Sequence, residues 1–301
     1  MGDVRIATTT SVDNSFLSDA LKTAFEYWQN AVYGSIKYNL DWNSLGSGAA
    51  MDAARNGLAD IVLAHDRVGE YIFLSERYSF QREVVFWNYF ILVGPSSSAV
   101  NWSNLQAGFT YIMGQSASPK IFLSRGKTGL SGTYVRELQI WKMLNLNAQP
   151  DNVLNMDQIV PPPEDQAGMM GTLQYAAQQQ LYTLTDIGTW YRFLNDFDPP
   201  SSAPLKALTP TPTLPIITDP WASNQYSLMP VNPAACGLTP DSINVAGAEA
   251  FLSWMLTNTG ANNAKDTVNG YKPDGVNQGF AYNAEMWPND KCIIKHILNN
   301  L

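Results

Sequence analysis

Charged side chains, histidine and cysteine are scarce in this sequence of 301 residues. Only 15% of the residues are charged, and the chain contains two histidines and two cysteines. The 18 Lys and Arg are outnumbered by 26 Asp and Glu, which gives a net charge of −8, and no stretch of the chain is strongly basic. Nucleic acids are bound through clustered basic side chains that neutralise phosphates. The composition therefore excludes a nucleic-acid partner.

Several motifs that carry chemistry are also absent. The sequence has no zinc-ligand spacing, Walker loop, dinucleotide-binding fingerprint or Gly-x-Ser-x-Gly elbow. No repeat of about 20 to 50 residues is visible, and no apolar run approaches the roughly 20 residues that cross a bilayer. The sequence thus offers no motif for nucleotide, zinc or α/β-hydrolase chemistry.

Cysteine usage and the N-terminus bear on where the protein works. Cys236 and Cys292 fit either one disulfide near the C-terminus or two buried free thiols, and both alternatives stay open. A single glycosylation sequon stands at 101–103. No leader is recognisable at the N-terminus. We expect an exported protein, periplasmic or extracellular, whose signal peptide is not part of this sequence; a bacterial and a eukaryotic secreted origin both stay open.

The composition predicts a folded chain of two domains. Hydrophobic residues make up 45% of the sequence, and aromatic residues make up 12%. Such a chain can bury a large core, and its length favours two domains over one.

The N-terminal segment predicts a strand, a hydroxyl-rich turn and a helix. Val4 and Ile6 indicate a short buried strand, and apolar residues at helical spacing follow from Phe16. Four hydroxyl residues, 8–11, lie between the two, and we expect one of residues 13–15 to cap the helix. Helix N-termini expose free N–H groups and a partial positive charge, which suits an anion. The alternative is that the hydroxyls only cap the helix and fill the turn.

The same arrangement recurs twice further along the chain. A strand at 35–40 leads through a Gly-Ser-Gly turn at 46–48 into a helix at 49–56. A strand at 120–123 leads through a turn rich in glycine and hydroxyls into a helix at 134–144. The third turn adds Arg125, whose planar guanidinium can hold two oxygens of one anion. These turns predict an anion site built from hydroxyls, helix starts and one arginine.

His65 follows a predicted buried strand at 61–64, where the exposed end of a parallel strand faces a ligand crevice. The residue next to it, Asp66, would permit acid–base chemistry. We favour a structural role for His65, because the other histidine, His296, lies far away near the C-terminus.

The remaining elements suggest two crossings between domains. The apolar strand at 82–93 is the predicted first crossing, and a strand at 226–231 is the predicted return. Seven prolines between 198 and 220 predict an irregular excursion. Residues 102–118 and the C-terminal tail have no assigned structure. The other predicted elements are a helix at 168–180, a strand at 182–186 and helices at 187–194 and 246–256.

From about residue 4 to residue 254, the sequence resembles the tungstate-binding proteins of bacterial ABC importers. The resemblance rests on six segments: Ala7-Thr8-Thr9-Thr10-Ser11, Gly46-Ser47-Gly48, Asn56-Gly57-Leu58-Ala59-Asp60, Ser124-Arg125-Gly126, Ser131-Gly132-Thr133 and Tyr182-Thr183-Leu184-Thr185-Asp186. It implies an α/β fold, the two-lobed type II periplasmic-binding-protein fold with two chain crossings between lobes. One lobe would comprise residues 1–92 and 226–301, and the other residues 93–225. The resemblance further implies a tetrahedral oxyanion as ligand, tungstate or molybdate first, and no catalysis, cofactor or resident metal ion.

The resemblance also implies which residues bind the anion and which partners the protein has. The implied ligand-binding residues are Thr9, Thr10, Ser11, Ser47, Ser124, Arg125, Ser131, Gly132, Thr133 and Thr185. The implied partner is the membrane component of an ABC importer, and we expect a monomer. One departure from the family is the link at 127–130, which is longer and basic here.

Two other function classes stay open at this point. One is an enzyme acting on a phosphorylated or sulfated small molecule, for which the sequence offers no convincing nucleophile and base. The other is a secreted surface protein that keeps the fold without transport.

Overall fold

The fold is taken from a computed structural model of the chain. It describes residues 2–126, 131–146, 149–159, 168–197, 200–211, 219, 221–235, 237–257 and 260–282. The link at 127–130, both cysteines and His296 lie outside the described residues. The two alternatives for the cysteines, a disulfide or free thiols, therefore both stay open.

The described chain alternates strands and helices. The strands are β1 (Gly2–Thr9), β2 (Tyr38–Leu45), β3 (Ile61–Ala64), β4 (Glu83–Pro95), β5 (Phe122–Ser124), β6 (Val153–Asn155), β7 (Tyr182–Asp186), β8 (Leu205–Ala207), β9 (Ser223–Pro230) and β10 (Ala281–Tyr282). The helices are α1 (Thr10–Asn14), α2 (Leu17–Tyr33), α3 (Ser47–Arg55), α4 (Arg67–Ser75), α5 (Leu105–Met113), α6 (Gly132–Met143), α7 (Met169–Gln179), α8 (Ile187–Leu194), α9 (Val245–Met255) and α10 (Ala264–Gly270).

Two mixed sheets share strand β4. In the first sheet β1 pairs in parallel with β2 and β3, and antiparallel β9 joins β3 to the first half of β4. In the second sheet β5 pairs in parallel with β6 and β7, while β7 and β8 pair antiparallel with the second half of β4. The change of partner falls between Tyr89, which pairs with β9, and Phe90, which pairs with β7. The long apolar strand therefore links the two sheets, as its sequence predicts.

Each sheet has its own hydrophobic core. The core of the second sheet contains Phe109, Phe122 and Trp141, which pack in mutual aromatic contact. The core of the first sheet contains Phe25 and Trp254, from α2 and α9. A smaller cluster on α3 and the adjoining strands covers the other face of the first sheet. Rigid cores of this kind hold the strand ends, and the turns that follow them, in fixed positions.

Most predicted elements are confirmed, and several bounds and assignments are wrong. Strand β7 and helix α8 have the predicted bounds. The second strand begins at Tyr38 and extends to Leu45 because its whole length pairs in register with β1. The proline-rich excursion is not wholly irregular, since β8 within it adds to β4. Helix α5 was not predicted; the side chain of Asn104 caps it by accepting a hydrogen bond from the Ala107 N–H at 2.8 Å.

The first helix also differs from its prediction. Instead of one helix capped within residues 13–15, the chain forms the short α1 directly after β1, with Thr9 as its N-cap residue. Phe16 then takes a left-handed conformation with φ of 60°, and α2 begins at Leu17. As a result, Thr10 and Ser11 belong to a helix and not to an extended turn.

Candidate anion-binding site

Helix starts follow directly from the carboxyl ends of strands in both sheets. In the first sheet β1 leads into α1, and β2 leads through Gly46 into α3. In the second sheet α6 begins after β5, and α8 begins where β7 ends. The N–H groups and partial positive charge at helix starts favour an anion in the space that they face.

The hydroxyls of the first sheet are buried at these ends. Thr9, Ser11 and Ser47 are each at most 2% exposed, and Thr10 is half-buried. The Thr9 Oγ1 is buried and has no hydrogen-bond partner among the described residues. An unpaired buried hydroxyl costs about 1–3 kcal/mol, a cost that a bound oxyanion would remove. Thr9 is therefore a strong candidate for a ligand contact.

Ser47 and Ser11 already have protein partners. The Ser47 Oγ accepts a hydrogen bond from the main-chain N–H of His65 at 3.3 Å, so its own O–H can still donate. Ser11 lies beside the Tyr226 hydroxyl, where it works against the effect of burial, which raises the Tyr226 pKa. Ser47 is thus better placed than Ser11 to donate to an anion.

Arg125 supplies a buried positive charge to the site. It is only 7% exposed, and burial lowers its pKa to about 10, while the carboxylate of Asp157 acts in the opposite direction. Gly126 beside it has φ of +68°, and a Cβ there would lie 2.4 Å from the Asn155 side chain. The turn after β5 therefore needs glycine at position 126 to hold Arg125 in place.

Ser131, Gly132 and Thr133 form the start of α6 and are all buried. The Ser131 Oγ caps the helix by accepting from the Tyr134 N–H at 3.3 Å. Its O–H remains able to donate, and the first N–H groups of the helix point out of its N-terminus. This segment combines hydroxyl and main-chain donors and follows the predicted arginine in the sequence.

Ser124 and Thr185 are buried but directed to other partners. The Ser124 Oγ donates to Glu137 Oε2 at 2.7 Å, and Glu137 also accepts from the Trp141 indole at 3.0 Å. Burial raises the Glu137 pKa to about 7. The Thr185 Oγ1 lies 3.3 Å from the carbonyl oxygen of Asp186. A ligand role for Ser124 and Thr185 stays a prediction.

The two sheets meet at His65 and at α1. A Cβ built on Gly132 would lie 2.5 Å from His65 Cε1, so the imidazole is packed against the start of α6. A Cβ built on Gly168, the N-cap residue of α7, would lie 3.7 Å from the Thr10 Cβ. Thr10, a predicted ligand residue of the first sheet, thus lies beside a helix start of the second. Among the described residues, no hydrogen bond joins Arg125 to the hydroxyls of the first sheet.

A buried polar network lies behind this junction, and the sequence analysis missed it. Asp186 accepts hydrogen bonds from the Asn88 side chain at 3.0 Å and from both the N–H and the hydroxyl of Thr189. Asn224 donates to Asn88 at 2.7 Å and to Tyr226 at 3.2 Å. Asn88 and Asn224 stand on the two strands that pair at the crossing. The available signal was an amide inside the apolar run of β4.

The arrangement suits binding better than catalysis. The Nδ1 of His65 is buried and has no hydrogen-bond partner in the described part of the chain, so it activates no hydroxyl there. Burial lowers the His65 pKa to about 4. A nucleophile needs a base within hydrogen-bond reach. The described residues also contain no cluster of side chains that could hold a metal ion, and no helix among them is long and apolar enough to cross a membrane.

The family model described as PBP superfamily domain matches residues 1–259. The chain belongs to the PBP superfamily. This membership agrees with the two sheets joined by β4 and β9, and the fold is the two-lobed periplasmic-binding-protein fold.

Similar proteins bind anions. This PBP superfamily member is 32% identical over 275 residues to a protein of Haloferax volcanii described as a candidate ABC transporter anion-binding protein, covering 91% of this chain and 70% of the relative. It is 28% identical over 260 residues to the tungstate-binding protein TupA of Peptoclostridium acidaminophilum, covering 85% and 78% of the two chains. The solved structure of the tungstate-binding protein TupA from Desulfovibrio alaskensis G20 has 28% identity and a TM-score of 0.69, covering 95% of this chain and 100% of that one.

Proposed function

We propose that this protein is an extracytoplasmic solute-binding protein that captures a tetrahedral oxyanion, tungstate or molybdate, between its two lobes. The observation that carries the proposal is Arg125, a buried guanidinium that makes no hydrogen bond to a described residue and stands just before the start of α6. A buried charge is costly unless it is compensated, and a bound anion would add to the partial compensation that Asp157 provides. The named relatives, which bind tungstate or anions, support the same reading.

In this proposal each sheet contributes part of the donor set. Thr9, Thr10, Ser11 and Ser47 donate from the first sheet, and Arg125 with residues 131–133 donates from the second. Oxyanions that carry no proton accept hydrogen bonds only, so a site of hydroxyls, N–H groups and a guanidinium matches them. The protein then acts as a receptor and catalyses no reaction.

The proposal includes lobe boundaries and a cellular context. Residues 1–92 and 226–301 form one lobe and residues 93–225 the other; the change of strand partner at Phe90 supports the first boundary. The protein works as a monomer outside the cytoplasm and delivers its anion to an ABC importer, as the names of its relatives suggest.

Ligand-dependent thermal unfolding tests this proposal. Dialysed protein would be heated with tungstate, molybdate, sulfate or phosphate at increasing concentrations. A ligand that binds only the folded state stabilises it by about 2.7 kcal/mol at one hundred times its Kd. We expect the melting temperature to rise with tungstate or molybdate concentration and to stay constant with sulfate. No rise with any of the four anions would refute an oxyanion receptor.

A further inference from the structure

His65 lies at the contact between the two sheets. Its main-chain N–H donates to the Ser47 Oγ at 3.3 Å, which fixes it beside the start of α3. Its ring lies against Gly132, where a Cβ would come within 2.8 Å of both ring nitrogens. The imidazole therefore packs against a helix start of the second sheet, while the main chain of the same residue is bonded to a helix start of the first.

The ring is held firmly from behind. The Tyr226 ring centroid is 4.9 Å from that of His65, and the Phe90 centroid is 6.2 Å away. The Asn224 side chain lies beside the imidazole and favours its protonated form. With aromatic side chains on β9 and β4 behind it, the ring cannot move away from Gly132 without disturbing the core.

The neutral state of the His65 imidazole agrees with a position in the wall of an anion site. Burial lowers its pKa to about 4, so the imidazole is neutral at pH 7, although the nearby Asp186 carboxylate favours the protonated form. The Asp186 carboxylate already accepts hydrogen bonds from Asn88 and Thr189, so it does not need a charged histidine as a partner. The buried Nδ1 has no hydrogen-bond partner among the described residues. A polar atom is thus buried, unpaired, at the junction of the predicted ligand residues.

We propose that His65 determines the anion specificity of the site by acting as a spacer between Ser47 and Gly132. This inference rests on the proposed function, because it assumes that the anion lies between the same helix starts. The ring limits how closely the start of α6 approaches the start of α3. The separation of these donors then matches a large oxyanion such as tungstate and leaves the smaller sulfate under-coordinated.

Selectivity is the first readout. Calorimetric titration would measure the Kd of tungstate and of sulfate for the wild type and for His65→Ala and His65→Asn. Because the wild type should bind sulfate too weakly to measure, its ratio of sulfate Kd to tungstate Kd is a lower bound set by the highest sulfate concentration used. We expect this ratio to fall at least tenfold below that bound in both variants. If His65 had only a structural role, its substitution would weaken the binding of both anions by the same factor. An unchanged ratio of the two Kd values would therefore overturn the proposal.

A double-mutant cycle tests the spacer contact itself. Gly132→Ala places a methyl group against the imidazole and should raise the tungstate Kd at least tenfold. In the His65→Ala background the same change should raise it less than threefold, because the ring is gone. Contacting residues show such coupling, whereas independent ones do not. An equal effect of Gly132→Ala in both backgrounds would contradict a spacer.

Three controls are needed, because a misfolded variant or a failure of the proposed function must be told apart from a failure of this inference. Gly270→Ala is the matched substitution, because no atom lies within 4 Å of a Cβ built there, and it should leave both Kd values unchanged. Thermal unfolding without ligand checks that each variant folds. The single variant Gly132→Ala tests the contact with the imidazole while His65 itself is unchanged. If the wild type binds neither anion, the proposed function and this inference both fail. If the wild type binds tungstate but the ratio of the two Kd values stays unchanged in the His65 variants, or Gly132→Ala has the same effect in both backgrounds, only the inference fails.

Discussion

Replacing Arg125 by methionine should separate anion binding from stability. The folded protein lowers the Arg125 pKa from 12.5 to about 10, and burial is the larger cause. At about 1.4 kcal/mol for each pKa unit, the difference corresponds to about 3 kcal/mol. Because the pKa of this base is lowered on folding, the folded state holds the proton less tightly, and the charged side chain destabilises it at pH 7.

Methionine removes this charge but keeps an unbranched side chain of similar length. We expect the free energy of unfolding of the empty protein to stay level or to rise by about 1–3 kcal/mol. The rise is limited because the favourable attraction to Asp157 is lost together with the charge. Binding should weaken strongly. Two charge-assisted hydrogen bonds at about 1.5–3 kcal/mol each correspond to a loss of about 10²- to 10⁴-fold in tungstate affinity.

Arg136→Met is the matched control. Burial also lowers the Arg136 pKa to about 10, but this side chain donates to the Trp221 carbonyl oxygen, with Nε at 3.0 Å. Removing Arg136 relieves a similar cost of burial but leaves the Trp221 carbonyl oxygen without this donor, so the empty Arg136→Met protein should be less stable than the empty Arg125→Met protein, with tungstate affinity unchanged. Urea unfolding of the dialysed proteins and calorimetric titration measure the two quantities. Unchanged tungstate binding by Arg125→Met, or an empty Arg125→Met protein less stable than empty Arg136→Met, would refute the reasoning.

Three further substitutions test other parts of the account. Thr9→Val removes a buried hydroxyl that has no partner in the described structure, so the empty protein should keep or gain about 1 kcal/mol of stability while tungstate binding, measured by calorimetry, weakens about tenfold. Glu137→Gln should reduce the decrease in the free energy of unfolding between pH 5 and 8, measured by urea unfolding, by up to about 3 kcal/mol. The pKa of Glu137 is raised to about 7 in the folded protein, so the stability that its protonated form contributes is lost as pH rises through that value. Asp60→Asn weakens an ion pair at 2.6 Å between the buried Asp60 and the partly exposed Arg5, and urea unfolding should show a loss of roughly 2 kcal/mol without a change in binding.

Local signals account for the parts of the fold that the sequence predicts well. The boundary between β7 and α8 falls at Asp186, whose carboxylate caps the helix by accepting from the Thr189 N–H at 3.0 Å. A residue that ends an alternating apolar run and caps the next helix marks both elements at once. The strand–turn–helix order around Arg125 is readable for the same reason.

Long-range contacts account for what the sequence does not reveal. The second strand extends to Leu45 only because β1 offers a partner along its whole length. Phe16 takes a left-handed conformation, in which its ring lies 5.0 Å from the Arg192 guanidinium of α8, and no local propensity of phenylalanine predicts this. The network of Asn88 and Asn224 likewise depends on residues more than one hundred positions apart. Burial and pairing across the fold, not local sequence, decide these features.

The residue types of the site are predictable from the sequence, whereas the hydrogen-bond partner of each side chain is less predictable. The hydroxyls and Arg125 were recognised from their turns, whereas the Ser124 hydroxyl donates to Glu137, a residue that carries no sequence signal for this role. The sequence favours a structural role for His65 because the other histidine, His296, lies far away near the C-terminus. Only the fold brings the His65 ring to Gly132.

Calorimetric titration of the dialysed wild-type protein tests the central claim most directly. Tungstate, molybdate, sulfate and phosphate would be titrated in parallel at one pH and ionic strength. The account predicts one tight site for tungstate or molybdate per chain and no measurable binding of sulfate. Absence of binding for tungstate and molybdate, or sulfate bound as tightly as tungstate, would contradict it.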